Sequence, residues 1–199
     1  MIKASECGEM FTIVEIDEII GILPKDFNKP LREAAIERLK SLYEGTVIEG
    51  LGYIVMVVDV HVEPIGLILP RDGSVYHKAR AKLLVFSPRI QEVGEGEVVE
   101  ITEFGAFIRV GPMDALLHIS QVMDDYLSYD EKHSILLGKK TGKKLEVGDR
   151  VRFRVVAVSI SPGTVGKISV TTRQPYLGKI EWINEDLKKV GTKPLAEGS

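Results

Sequence analysis

One cysteine, Cys7, stands in 199 residues. That scarcity excludes an internal disulfide and any zinc site built on several thiolates. No apolar run approaches the roughly 18 residues that a membrane span needs. The amino terminus, Met1-Ile2-Lys3-Ala4-Ser5-Glu6-Cys7, lacks the apolar core of a secretory signal. Together these absences point to a reducing, cytoplasmic setting with no membrane partner. A Gly-rich phosphate loop is also missing. Gly138-Lys139-Lys140-Thr141-Gly142-Lys143 has the residue types but not the eight-residue spacing that ends in Gly-Lys-Ser/Thr. Strong basicity is missing too, since the net charge is −3. Any contact with a polyanion must therefore be confined to one face.

What is present reads as two domains. Hydrophobic content of 44% and charged content of 28% are ordinary for a globular protein. Met10–Ile20 alternates as a strand, and Asn28 and Pro30 are helix-start signals. Leu31, Ala34, Ala35, Leu39 and Leu42 recur at helical spacing until Gly45 stops them. Thr46–Val62 follows as strand, turn and strand. Its run Tyr53–Val58 is apolar on both faces, which predicts a central strand covered on each side. Lys78–Phe86 is a further strand, and Ser87-Pro88 is the boundary. The first half is therefore α+β, with one main helix on an antiparallel sheet. Met10 is a second candidate start, which makes residues 1–9 an N-terminal extension and residues 10–87 the first domain.

The second half alternates at short spacing, the pattern of a small all-β OB-fold barrel. In Gly105–Val110, Ala106, Ile108 and Val110 point one way, and Phe107 and Arg109 the other. Ala115, Leu117 and Ile119 share a face opposite His118 and Ser120. Val151, Phe153, Val155 and Ala157 are expected inward, with Arg150, Arg152 and Arg154 outward. Lys167–Thr171 closes the barrel. Met123–Lys144 is long, polar and poorly periodic, and is expected as a solvated insertion. Residues 88–183 make the barrel, and residues 184–199 a C-terminal tail with a short helix over Glu181–Lys189.

Charge is unevenly spread. Residues 88–138 carry 3 Lys/Arg against 10 Asp/Glu, and residues 139–182 carry 10 against 3. Either neighbouring strands pair opposite charges, or the basic tract meets an anionic partner. The outward residues Phe104, Phe107, Arg109, His118, Arg152, Arg154 and Lys167 suit RNA, because aromatics stack on bases and cations neutralise phosphates. Phe104 has two readings. Strict alternation sends it to the core, whereas a bulge at Gly105 turns it outward. For catalysis the best candidate is the cluster Asp124, Asp125, Asp130, Glu131 and His133, whose carboxylates have the chemistry of a Mg²⁺ site and hence of a metal-dependent ribonuclease. The alternative is a solvated acidic loop paired to the basic tract, with no metal, no cofactor and no catalytic site. That alternative is the expectation.

Gly96-Glu97-Val98, Phe104-Gly105-Ala106-Phe107, His118-Ile119-Ser120, Gly148-Asp149-Arg150-Val151 and Lys167-Ile168-Ser169-Val170 fall in the order and spacing of the S-one-type RNA-binding domain, which the barrel resembles. The resemblance implies an RNA face on Phe104, Phe107, His118 and Lys167, with Ser159 where that family often has an aspartate. A narrower resemblance covers nearly the whole chain. Asp72–His77, Gly111–Asp114, His118–Tyr126 and Arg173–Ile183 look like the E-prime family of archaeal DNA-directed RNA polymerase stalk proteins, counterparts of the seventh subunit of eukaryotic RNA polymerase II. Ala115 stands where that family usually has glycine. The likeness implies a noncatalytic stalk subunit whose first domain docks on the polymerase core. It implies a heterodimer with the smaller F subunit of the polymerase, contact with nascent single-stranded RNA, and roles in initiation and processivity. An exosome cap or translation initiation factor carrying the same barrel is the rival. Exosome caps add a further RNA-binding domain or a zinc ribbon after the barrel, and the initiation factor puts its barrel first.

Overall fold

The computed structural model describes residues 3–4, 10–163 and 166–190. Cys7, most of the expected 1–9 extension and the tail beyond residue 190 lie outside the described residues. The chain forms two units. One holds the chain up to Pro88 together with the short stretch after Ser159, and the other holds Arg89–Ser159 and the chain from Gly166 on.

The first unit contains β1 (Lys3–Ala4), β2 (Phe11–Ile22), α1 (Leu31–Tyr43), β3 (Val47–Ile48), β4 (Gly52–Ile68) and β5 (Val75–Phe86). The sheet order is β1-β2-β5-β4-β3, with neighbours antiparallel. β2 and β5 pair without a slip from Phe11↔Phe86 to Ile22↔Val75. Pro30 starts α1 with its carbonyl accepting from Glu33 and Ala34. The helix buries Ala34, Ala35 and Leu39 against Val14, Ile16, Ile54, Val57, Ala81 and Leu83 of the sheet. Small residues at positions 34 and 35 let the helix backbone sit close. Full burial of a side chain such as Leu39 or Ile54 is worth about 1.5–3 kcal/mol. Leu42, expected on the buried face, is exposed. Polar ties hold the helix in register: Arg32 reaches Asp59 at 2.6 Å and the Val60 carbonyl at 3.2 Å, and the Tyr43 hydroxyl donates to Glu18 at 2.5 Å.

The expectation for Tyr53–Val58 needs correction. β4 has β5 along one side, but β3 pairs only Tyr53 and Gly52 on the other. Most of β4 is therefore a sheet edge, and the helix covers one face only. Ile54 and Val57 are buried, whereas Met56 and Val58 are 44% and 48% exposed. Farther along the same strand and just past it, Ile65, Leu67, Ile68 and Leu69 are also exposed.

The second unit is built on β6 (Val93–Thr102), β7 (Gly105–Val110), β8 (Met113–His118), β12 (Arg150–Ser159) and β13 (Lys167–Thr171), with β9 (Leu127–Asp130), β10 (Ile135–Gly138), β11 (Lys144–Leu145), β14 (Gly178–Lys179) and α2 (Ile180–Val190) added. The order β13-β8-β7-β6-β12 is closed by pairing of β12 with β13, giving a five-stranded OB-like barrel. β8 and β13 run parallel. Val98, Ala106, Ile108, Ala115, Leu117, Phe153, Val155 and Ile168 fill the interior. The inward run of β12 ends sooner than alternation predicts. A register shift between Val155 and Ala157 interrupts the period, and Ala157 is exposed.

The insertion is ordered rather than merely solvated. β9, β10 and β11 form an antiparallel sheet that buries Leu136 and Leu145. Against the barrel, α2 buries Trp182, Ile183 and Leu187. No helix among the described residues is long and apolar enough to cross a membrane.

Candidate nucleic-acid interface

The two-residue turn Glu103–Phe104 joins β6 to β7, with Thr102 paired to Gly105. Phe104 is thus a turn residue, which resolves its two readings: it is 46% exposed. Gly105 makes this possible. Its φ is 155° and it lies opposite His118, so close to β8 that a Cβ would overlap the Leu117 carbonyl oxygen. The Phe104 carbonyl accepts from the Ile119 N–H at 2.9 Å, which fixes the turn against the end of β8. Phe107 follows on the outer face of β7, and the two rings meet edge to face with centroids 6.1 Å apart.

Register assembles the rest of the face. Phe107 is opposite Leu116, which is opposite Ser169, so these three form a middle row across β7, β8 and β13. His118 lies one row away, beside the empty position of Gly105. Its Nδ1 accepts from the Ser120 N–H at 3.3 Å and contacts Ser120 Oγ at 2.8 Å. A backbone N–H can only donate, so Nδ1 is the acceptor and Nε2 carries the neutral ring's proton. Lys167 begins β13, exposed, with no carboxylate partner among the described residues. Phe104, Phe107, His118 and Lys167 are therefore carried on three adjoining strands and the β6–β7 turn. Leu116 and Ser169 also belong to this face. They escaped the sequence reading because only the strand register reveals them.

The arginines are differently placed. Arg109 forms a two-pronged pair with Asp114 across β7 and β8. That hydrogen bond and charge raise the guanidinium pKa further. Arg152 donates to Glu95 at 2.9 and 2.6 Å, and Arg150 reaches the same carboxylate at 3.3 Å. Arg154 donates to the Gln91 carbonyl at 3.3 Å. The first half of β12, which bears these arginines, pairs with Glu97–Val93 of β6 and with β14. β6 separates it from Phe107. Part of the charge asymmetry is thus strand pairing, one of the two alternatives the sequence offers. Pairs as exposed as these add little to stability, because water screens them.

The acidic cluster is dispersed. Asp124 pairs with Arg173, and Asp130 lies 2.8 Å from His133 Nδ1. That hydrogen bond holds Asp130 below the ordinary carboxylate range. Asp125 accepts from the N–H groups of Tyr126, Lys140 and Thr141 and from the Thr141 hydroxyl. Among the described residues no three His, Cys, Asp or Glu side chains are grouped so as to hold a metal. An open groove borders Phe104, lined by Glu100, Glu103, Tyr129 and Glu131. Tyr129 reaches it from β9, a neighbour that the local pattern of residues 123–144 did not disclose.

Two family comparisons match parts of the chain. Residues 87–161 match the S1 RNA binding domain, and residues 17–73 match the SHS2 domain found in the N terminus of Rpb7p/Rpc25p/MJ0397. Whole-length relatives agree with both. DNA-directed RNA polymerase subunit Rpo7 of Saccharolobus shibatae is 39% identical over 180 residues, spanning 90% of this chain and 100% of that protein. The Rpo7 subunit of Sulfolobus acidocaldarius is 39% identical over 180 residues, covering 90% of this chain and 98% of its own length. DNA-directed RNA polymerase II subunit RPB7 of Saccharomyces cerevisiae is 25% identical over 173 residues, 86% of this chain and 100% of that protein.

Proposed function

The chain belongs to the family of DNA-directed RNA polymerase subunit Rpo7, and we propose that it is a noncatalytic stalk subunit that passes nascent single-stranded RNA over its barrel. The supporting observation is the outward set Phe104, Phe107 and His118. Two aromatic rings in contact and a ring N–H donor sit on the barrel exterior, and Lys167, with no carboxylate partner among the described residues, lies on β13 two residues before Ser169 of the middle row. Aromatics of this kind stack on splayed bases, and a free lysine meets phosphate. Arg109, Arg152 and Arg154 are secondary contributors in this reading, because each already serves a protein acceptor.

The first unit is the attachment module of the proposal. Its edge strand β4 leaves Ile65, Leu67, Ile68 and Leu69 exposed, an apolar strip with unpaired backbone groups of the type that another chain covers. The barrel offers RNA chemistry and the first unit offers apolar edge. Docking on the polymerase core is accordingly assigned to the first unit, with the smaller F subunit of the polymerase as heterodimer partner and with roles in initiation and processivity.

Affinity purification of the tagged full chain from native extract is the test. Core polymerase subunits and one small partner should co-purify. Their absence, with exosome or ribosomal proteins in their place, overturns the assignment in favour of the rival RNA-binding complexes.

A further inference from the structure

The lysine-rich turn of the inserted sheet has a construction that the proposed RNA face does not account for. Gly138-Lys139-Lys140-Thr141-Gly142 links β10 to β11, and Gly142 N–H closes on the Gly138 carbonyl at 3.0 Å. Asp125, far back in the chain, fastens it. Its carboxylate accepts from Lys140 N–H at 3.0 Å, Thr141 N–H at 2.8 Å and Thr141 Oγ–H at 2.8 Å. Gly138 is glycine because the Thr141 hydroxyl and that carboxylate both lie over it: a Cβ would stand 2.5 Å from Thr141 Oγ and 2.7 Å from Asp125 Oδ2. Gly142 has a φ of 66° and completes the turn. The two glycines and one aspartate therefore hold two adjacent lysines outward on a fixed backbone.

Those lysines differ from most basic side chains of the barrel. Arg109, Arg150, Arg152, Arg173, Lys144 and Lys179 are each within ion-pair distance of a carboxylate. Lys139 and Lys140 are exposed, and neither ammonium group forms an ion pair with a carboxylate among the described residues. Next to them stands Tyr126, 73% exposed, with Lys140 Nζ 5.4 Å from its ring centroid. Lys139 N–H donates to the Tyr126 carbonyl at 2.9 Å, so ring and lysines share one backbone support. An exposed ring flanked by unpaired cations on a rigid turn is the pairing that stacks a base and neutralises its flanking phosphates.

We propose that Tyr126, Lys139 and Lys140 form a second contact for single-stranded RNA, separate from the Phe104–Phe107–His118 face. Tyr126 stacks on a base, and the two lysines neutralise neighbouring phosphates. The patch is preorganised, so binding orders little of the protein.

The test uses the full chain and a fluorescent oligouridine probe, with anisotropy read across a salt series. Tyr126→Ala should weaken binding at least about five-fold, and Tyr126→Phe should retain it. Lys139→Ala/Lys140→Ala should lower the slope of log K against log[salt] by about 1.4, the value for two phosphates on a single strand. All these side chains are exposed, so each variant should melt at the wild-type temperature. Wild-type affinity in Tyr126→Ala together with a wild-type slope in the double lysine variant overturns the proposal and leaves the patch to an acidic protein partner. Phe107→Ala, measured in parallel, separates the two readings. Loss there with wild-type behaviour of both the Tyr126 and the double lysine variants sinks the second contact alone, and loss at Tyr126 with none at Phe107 sinks the first face alone.

Discussion

The Phe104 and Phe107 rings stand at 88° to one another, edge to face, across the β6–β7 turn. An edge-to-face pair leaves one ring face presented outward while the partner ring holds it in place. The two side chains therefore act as one platform. Phe107→Ala should weaken single-stranded RNA binding by about 1–3 kcal/mol. Phe104→Ala should cost a similar amount, and the double variant less than the sum, because the rings are in contact. Fluorescence anisotropy of all three variants gives the coupling directly. Strict additivity would mean that each ring acts alone.

Lys167 should behave differently. It contributes charge rather than stacking, so Lys167→Ala should reduce the salt slope by about 0.7, equivalent to one phosphate contact. Arg109→Ala should change the slope by less, since Asp114 already neutralises that guanidinium.

Gly105 carries the geometry of the turn. Gly105→Ala places a Cβ against the Leu117 carbonyl at a φ of 155°. A loss of about 1–3 kcal/mol of stability is expected from backbone strain alone. Denaturant unfolding measures it, and an unchanged midpoint would show that the hairpin relaxes without cost.

Among the described residues, Lys179 is the most deeply placed cation of the second unit. It is 7% exposed and lies 2.9 Å from both Asp149 and Glu181. Burial alone pushes its pKa down, but the hydrogen bonds to Asp149 and Glu181 outweigh it, and the value is raised above 10.5. The pair's stabilisation is therefore fully present below pH 10.5 and is lost as pH rises through the raised value. Lys179→Met removes the cation and leaves the Asp149 carboxylate, which still accepts from the Glu146 N–H, without a charge partner. A loss of about 3–5 kcal/mol is expected at neutral pH, read as a lowered melting temperature.

Asp125 sets an acid limit on the lysine turn. The Thr141 N–H is the main cause of its lowered pKa, with the Thr141 hydroxyl and Lys140 N–H adding to it. Its stabilisation is present above the ordinary value of 3.8 and fades as pH falls through the lower folded value. Amide exchange at Thr141 and Lys140, corrected for the intrinsic rate, should accelerate on that acid limb. Asp125→Asn should abolish the transition.

Local periodicity determined a good deal of this protein. The spacing of Leu31, Ala34, Ala35 and Leu39 placed α1, and alternation in Gly105–Val110 placed Phe107 outward and Ile108 inward. Side-chain direction within a helix or strand follows from its own period, so these features need no distant information. The tertiary structure decided whatever depends on what lies across from a strand. Phe104 faces out because β8 crowds Gly105, and Met56 is exposed because α1 packs only on the side of the sheet that holds Ile54 and Val57. Arg152 is neutralised by Glu95, 57 positions away, and the turn bearing Lys140 is fastened by Asp125, 15 positions back. Composition counts such charges, but only register brings each to its partner, and so decides which cations stay free for a phosphate.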